Sequence, residues 1–256
     1  MAIDLDAIRN RLDSLQTKVT KTDNLWKPKP GKQQVRIVPY THNESNPFIE
    51  LFFHYGFGGK NLLSPQTFGE ADPLVEFANQ LKATGDRNDW NLSKQLTPKM
   101  RTYVPVLVRG EESEGVKFWG FGKTVYQELL SVIADPDYGD ITDSMNGRDI
   151  KIERQTPAEA GNQYGKTTVR VSPKQTSITE DSTALKAMLD GQMDITELYT
   201  EPSYDDLKEA LSNFLNPSDD SSESSTTTVT TNTSTTKPVA ETVSNTADAF
   251  DNLFNS

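Results

Sequence analysis

Apolar side chains in this chain recur in short runs, each bounded by Gly, Pro or Asn, across most of its length. Gln33–Tyr40, Phe48–Tyr55, Thr102–Arg109, Val116–Phe121, Arg148–Arg154 and Lys166–Ser172 are rich in Val, Ile and aromatics, the pattern of half-buried strands. Helical periods interrupt them at about 71–84 and 122–134. A further stretch, 182–215, reads as two or three helices, the last opened by Ser203 as an N-cap before Tyr204, Leu207, Leu211 and Leu215. Residues 4–20 stand apart. Leu5, Ile8, Leu12, Leu15 and Val19 fall at spacings of three and four, one stripe of an amphipathic helix with Arg9, Arg11 and Lys18 off it. A lone helix of this length is marginal in water, so the stripe is expected to pack on its own body or on a neighbouring molecule.

Lys27-Pro28-Lys29-Pro30-Gly31 reads as a stiff extended linker. After Pro217 the chain is mostly Ser and Thr, a composition that cannot bury a core and predicts disorder. It then closes on Ala249-Phe250-Asp251-Asn252-Leu253-Phe254, where apolar and acidic residues interleave. Short strands with peripheral helices predict an α+β, mainly β chain built on a small β-barrel. The expected divisions are an arm at 1–21, a core at 22–216 and a tail at 217–256.

Composition limits the function classes. The chain has 256 residues and no Cys, which excludes disulfides and thiolate metal sites. No apolar run approaches membrane-spanning length, and the start, Met-Ala-Ile-Asp-Leu-Asp, shows no signal pattern, so an intracellular protein is expected. There are two His, His42 and His54, and no Walker, nucleophile-elbow or zinc-protease motif. Gly56-Phe57-Gly58-Gly59-Lys60 lacks phosphate-loop spacing and reads as a turn. With no nucleophile–base set, a non-enzymatic role is expected.

A net charge of −11 argues at first against a polyanionic partner, but the charge is unevenly placed. From Glu201 onward ten acidic residues face two basic ones, which leaves residues 1–200 at only −3. Residues 27–40 and 94–109 each hold four basic residues and no acid. Bases and aromatics also alternate on strand-like segments. Phe52, Phe53, Tyr55 and Phe57 lead to Lys60; Lys99, Arg101 and Tyr103 share a strand face, as do Lys117, Trp119 and Phe121; Lys123 follows, and Tyr164 precedes Lys166. Single-stranded nucleic acid is held by this combination, cations following phosphates and aromatic faces stacking on unpaired bases. Aromatics on strands also build cores, and Phe53, Val104 and Phe118 are expected there.

At these residues the chain resembles the helix-destabilising single-stranded DNA-binding proteins of T-even-type tailed phages. The matching stretches are Gln34–Tyr40, Pro47-Phe48 through His54-Tyr-Gly-Phe57, Thr102–Val108, Phe118-Trp-Gly-Phe-Gly-Lys-Thr124 and Asn162-Gln-Tyr-Gly-Lys166, in order from about residue 20 to 216. The resemblance implies an OB-fold core with a basic, aromatic-lined cleft, an N-terminal arm that links protomers cooperatively, and an acidic tail that recruits replication and recombination proteins. It implies DNA contacts at Lys99, Arg101, Tyr103, Trp119, Lys123 and Tyr164, with Arg36 and Lys60 as further candidates. Self-association then falls to Leu5, Ile8, Leu12 and Leu15, and partner binding to Phe250, Asp251, Leu253 and Phe254. The setting implied is phage replication, recombination and repair in the cytoplasm of an infected bacterium.

Two departures matter. The family's zinc is held by one His and three Cys, whereas here His54 is followed by Ser64, Asp72 and Val75 near the thiolate positions. A structural zinc needs four ligands, so no zinc is expected; Leu62, Leu63, Phe68, Leu74 and Phe77 would pack the loop instead. The family's basic Ser/Thr signature near the start has only Thr17-Lys18-Val19-Thr20-Lys21 as an echo, which shifts self-association toward apolar burial. The rival reading is an acidic scaffold or assembly protein whose barrel binds another protein, with the tail as spacer.

Overall fold

A computed structural model describes residues 24–57, 59–216, 250, 253 and 254. Leu5, Ile8, Leu12, Leu15 and Asp251 lie outside the described residues. The chain divides into two units: one runs up to Glu50 and resumes over Met100–Tyr199, and the other takes Leu51–Lys99 and the chain from Thr200 on.

The first is a sheet unit. In chain order its strands are β1 (Leu25–Trp26), β2 (Gly31–Ile37), the start of β3 (Ile49–Phe57), β5 (Lys99–Val108), β6 (Lys117–Phe121), β7 (Arg148–Gln155) and β8 (Lys166–Gln175); β4 (Lys60–Leu63) belongs to the other unit. The sheet runs β1-β6-β5-β2-β7-β8. Only β1 against β6 is parallel, with Trp26 opposite Trp119; the other pairs along this path are antiparallel. These pairings form an open path that ends at β1 and β8. The Lys-Pro-Lys-Pro segment joins β1 to β2, so the stretch read as a linker is a loop within this unit.

Alternation decides what is buried. Val104, Val106 and Val108 of β5 join Val35, Ile37, Ile150, Ile152, Trp26 and Trp119 in one core on one face. Leu107 points the other way, toward Val38 and Ile178. That second cover explains why β5 reads as a continuous apolar run. Helix α3 (Lys123–Ile133) lays Val125, Tyr126 and Leu129 on the first core. Each such aliphatic, fully buried, contributes about 1.5–3 kcal/mol.

At one end of β2 the sheet carries a buried charge cluster. Arg36 is fully buried and reaches Asp149 at 3.2 Å, the Thr176 carbonyl at 2.5 Å and the Asp143 carbonyl at 2.9 Å. Arg109 grips the same Asp149 through Nη2 at 2.9 Å and Nε at 3.2 Å. Burial pulls the Arg36 guanidinium below its ordinary pKa, against the pull of Asp149. One carboxylate thus serves two cations.

The second unit is mostly helical. Here β3 and β4 pair, with His54 opposite Leu62 and Phe57 opposite Lys60; Gly59 takes a positive φ of 73° in the turn between them, while Gly56, at φ 94°, sits within β3 where the pairing register shifts. Helix α1 (Pro73–Ala83) buries Leu74, Phe77, Ala78 and Leu81, a stripe at helical spacing. Helix α2 (Arg87–Leu96) follows, capped by Asp86. Its sequence shows only Leu92 and Leu96 as an apolar pair, too little to mark it beforehand. Short α4 (Pro157–Ala160) and α5 (Ser182–Asp190) belong to the sheet unit, while α6 (Tyr204–Leu215) returns to this one and buries Leu207 and Leu211. Ser203 caps α6 as expected, in a capping box with Asp206. Leu63, Leu74 and Phe77 are buried as predicted, but Phe68 is 45% exposed and does not pack the loop. It closes a 3-10 turn (Pro65–Phe68) that ends on left-handed Gly69, and this turn directs it outward.

Candidate nucleic-acid interface

The sheet unit holds a hollow of about 350 Å³ lined by Lys27, Arg101, Trp119, Phe121, Arg154 and Thr167, with Gly120, Gly122 and Val125. Three cations line it and no carboxylate does. Sheet register brings them together: Trp119 is paired with Trp26, next to Lys27; Thr102, next to Arg101, is paired with Phe121; and Arg154 is opposite both Gly31 and Thr167. Arg101 donates to the Gly120 carbonyl at 3.1 Å. Arg154 is set by Thr167 Oγ1 and the Tyr164 carbonyl, both at 3.0 Å. Tyr164 itself is 75% exposed. Its side chain therefore stands in solvent, open to an unpaired base, while its carbonyl holds Arg154.

Helix α3 begins at this hollow. Its N-cap is Gly122, which supplies no side-chain cap, and Lys123 is exposed in the first turn. The N–H groups of such a turn attract phosphate, and Lys123 adds charge.

A second, larger hollow of about 740 Å³ lies on the outer face of β2, β7 and β8, among Lys29, Lys32, Gln34, Arg109, Lys151 and Arg170. Lys32 and Gln34 face Glu153 and Lys151 across the β2–β7 pairing, so the positive strip follows from alternation. Glu111 and Glu153 temper it, and Lys29 pairs with Glu111 at 3.3 Å. Adjacent strand residues point to opposite faces, so Arg154 and Glu153 separate the two hollows.

The expected contact residues fall into different places. Arg101 lines the small hollow, Lys123 follows its lining residue Gly122 in the chain, and Tyr164 reaches it only through the bond from Arg154 to its carbonyl. Trp119 lines it but is only 1% exposed, packed edge-on with Trp26 at 6.0 Å and Phe121 at 4.6 Å; it forms floor, not a stacking face. Tyr103 is also buried, its hydroxyl 2.7 Å from that of Tyr199, and burial raises its pKa. Gly120 makes room for that ring: a Cβ there would lie 2.6 Å from Tyr103 Cε1. Arg36 spends its donors inside the fold, in the Asp149 cluster. Lys99 belongs to the helical unit, where it lies 6.0 Å over the Tyr55 ring. Lys60 is placed only by its backbone, opposite Phe57. Sequence reasoning missed Arg154, Lys151 and Arg170, because their convergence depends on the β7–β8 register. Lys27 had a signal, since it heads a basic strip.

In the helical unit His54 is fully buried. Its Nδ1 meets the Leu96 carbonyl at 2.7 Å and its Nε2 meets Asp72 Oδ2 at 2.8 Å. Ser64 donates to the same oxygen at 2.5 Å, while Asp72 Oδ1 caps α1 through the Leu74 and Val75 N–H groups. Burial pushes the Asp72 carboxyl up, but hydrogen bonds from His54 and Ser64 outweigh it and hold it below the usual carboxylate range. Zinc would need four ligands. These side chains are bound to one another, Val75 offers none, and no cluster of three His, Cys, Asp or Glu suited to a metal occurs among the described residues. The residues present do not fit a zinc ion.

A hollow lined by three cations and no carboxylate, on a mainly β unit, is chemically suited to a polyanion. The chain belongs to the gp32 DNA binding protein like family, whose model matches residues 29–216. This is a family of DNA-binding proteins and not of enzymes. No curated protein matches the chain.

Proposed function

We propose that this protein binds single-stranded DNA without regard to sequence and coats it cooperatively during phage replication, recombination and repair, in the cytoplasm of the infected host. The observation that carries this reading is the hollow lined by Lys27, Arg101 and Arg154 with no carboxylate, whose Arg154 is bonded to the backbone of the exposed Tyr164. An aromatic face can stack only on a base that is not already stacked and paired, and the cations supply the phosphate term. Membership of a DNA-binding family supports the polymer.

In this reading the open sheet is the partly open barrel of an OB-type core. The arm stripe of Leu5, Ile8, Leu12 and Leu15 joins neighbouring protomers. The acidic tail competes with DNA for the cations, and its tip (Phe250, Asp251, Leu253 and Phe254) engages replication and recombination proteins. The His54–Asp72–Ser64 network stands in place of the family's zinc and needs no metal.

The test is fluorescence anisotropy with labelled oligo-dT and a duplex of equal length at low salt. Tight binding to the single strand, weak binding to the duplex and a steep loss of affinity with salt are expected. Equal affinity for both, or no binding, would refute the reading and favour a protein-binding scaffold.

A further inference from the structure

The helical unit has a second surface, and the end of the chain sits on it. Phe250, Leu253 and Phe254 are partly buried against the cluster that contains Phe77, Leu207 and Leu211. The Phe250 ring meets Phe77 edge-on at 6.2 Å, and Phe254 meets Tyr204 edge-on at 6.4 Å. The two tip rings lie 4.9 Å apart. Lys208 of α6 donates to the Phe254 carbonyl at 3.0 Å and stands 5.3 Å over its ring. The three tip residues are helical and spaced i, i+3, i+4, which puts them on one face of a turn. Asp248 and Asp251 make the segment acidic, opposite in charge to Lys208.

We propose that the face of α1 and α6 is a receptor for the chain's own C-terminal tip and holds it in cis. Any protein that uses Phe250, Leu253 and Phe254 must then first draw the tip off this face. Two features favour this occupant: the contacts combine an apolar anchor with a matching charge, and the tether allows them. Residues 217–249 join the tip covalently to α6, so its docking is intramolecular, and tethered ligands of this kind reach effective concentrations in the millimolar range. A tip with an intrinsic Kd of about 0.1 mM would then be docked roughly nine-tenths of the time. The inference does not depend on DNA binding.

The test uses two full-length proteins, the wild type and the variant Phe250→Ala, Leu253→Ala, Phe254→Ala. Each is titrated against a fluorescein-labelled peptide of residues 246–256 and followed by anisotropy. The variant should bind the peptide, and the wild type should bind it about tenfold more weakly because its own tip competes. Adding Lys208→Glu to the variant should reduce peptide binding at least several-fold while leaving the thermal melt in place. Equal binding to wild type and variant would show the face empty in cis and overturn the proposal. No binding to either protein would overturn it too, as would wild-type dimers that form through the tip alone and dissociate in the variant.

Discussion

Replacing Lys27, Arg101 and Arg154 with Ala removes the three cations of the small hollow while leaving its Trp119 and Phe121 floor in place. On single-stranded DNA each phosphate contact contributes about 0.7 to the slope of log affinity against log salt. Loss of all three should therefore flatten the slope by about 2. Between 50 and 200 mM salt the wild type should then lose about 20-fold more affinity than the variant. Anisotropy titrations with oligo-dT at several salt concentrations measure this directly. Tyr164→Ala supplies the orthogonal signature: loss of a stacked base costs about 1–3 kcal/mol at every salt concentration and leaves the slope alone. Arg101→Lys with Arg154→Lys should retain the slope, because charge is kept while the hydrogen-bonded fork is lost. The control is Lys82→Ala, Lys174→Ala and Lys186→Ala, three exposed cations outside the hollow. A wild-type slope in the triple hollow variant, or an equal flattening in the control, would refute the assignment.

Two predictions concern what supports the site. Asp149→Ala leaves buried Arg36 without its charge partner and frees Arg109; a loss of about 3–5 kcal/mol in urea unfolding is expected, and a loss below about 1 kcal/mol would mean that the cluster relaxes without it. In the helical unit, chelators should leave the melting temperature unchanged, and elemental analysis should find no stoichiometric zinc. Asp72→Asn, by contrast, should destabilise. Because the folded-state pKa of Asp72 lies below its unfolded value, its contribution is complete above about pH 4 and is lost as the pH falls further, so wild type and variant should converge in stability in acid.

Much of this protein was legible in the chain. The strand runs, the helices near 73–83, 123–133 and 204–215 and the Ser203 cap follow from periodicity and local hydrogen bonding, which act over a few residues. The turn between β3 and β4 follows from glycine's access to positive φ at Gly59, and the alternation of bases and aromatics pointed to Arg101, which lines the small hollow, and to Tyr164, which is exposed. Helix α2 escaped because its polar sequence relies on Asp86 and the burial of Leu96. Phe68 was misplaced because a left-handed Gly69 reversed the chain beneath it.

The sequence by itself determined which stretches could be strands or helices, where the charge lay, and that thiolate metal chemistry was closed. Tertiary structure alone decided which alternating residues faced a core and which faced water. Trp119 and Arg154 both sit on strands in sequences of similar character and both line the small hollow, yet one is packed between Trp26 and Phe121 as its floor while the other brings a charge to it and bonds the Tyr164 carbonyl. The same holds for Arg36, a base in a basic strip whose donors the fold directs inward to Asp149. Alternation is local, but burial depends on which strands pair and what covers them, and that is fixed by contacts between residues more than a hundred positions apart.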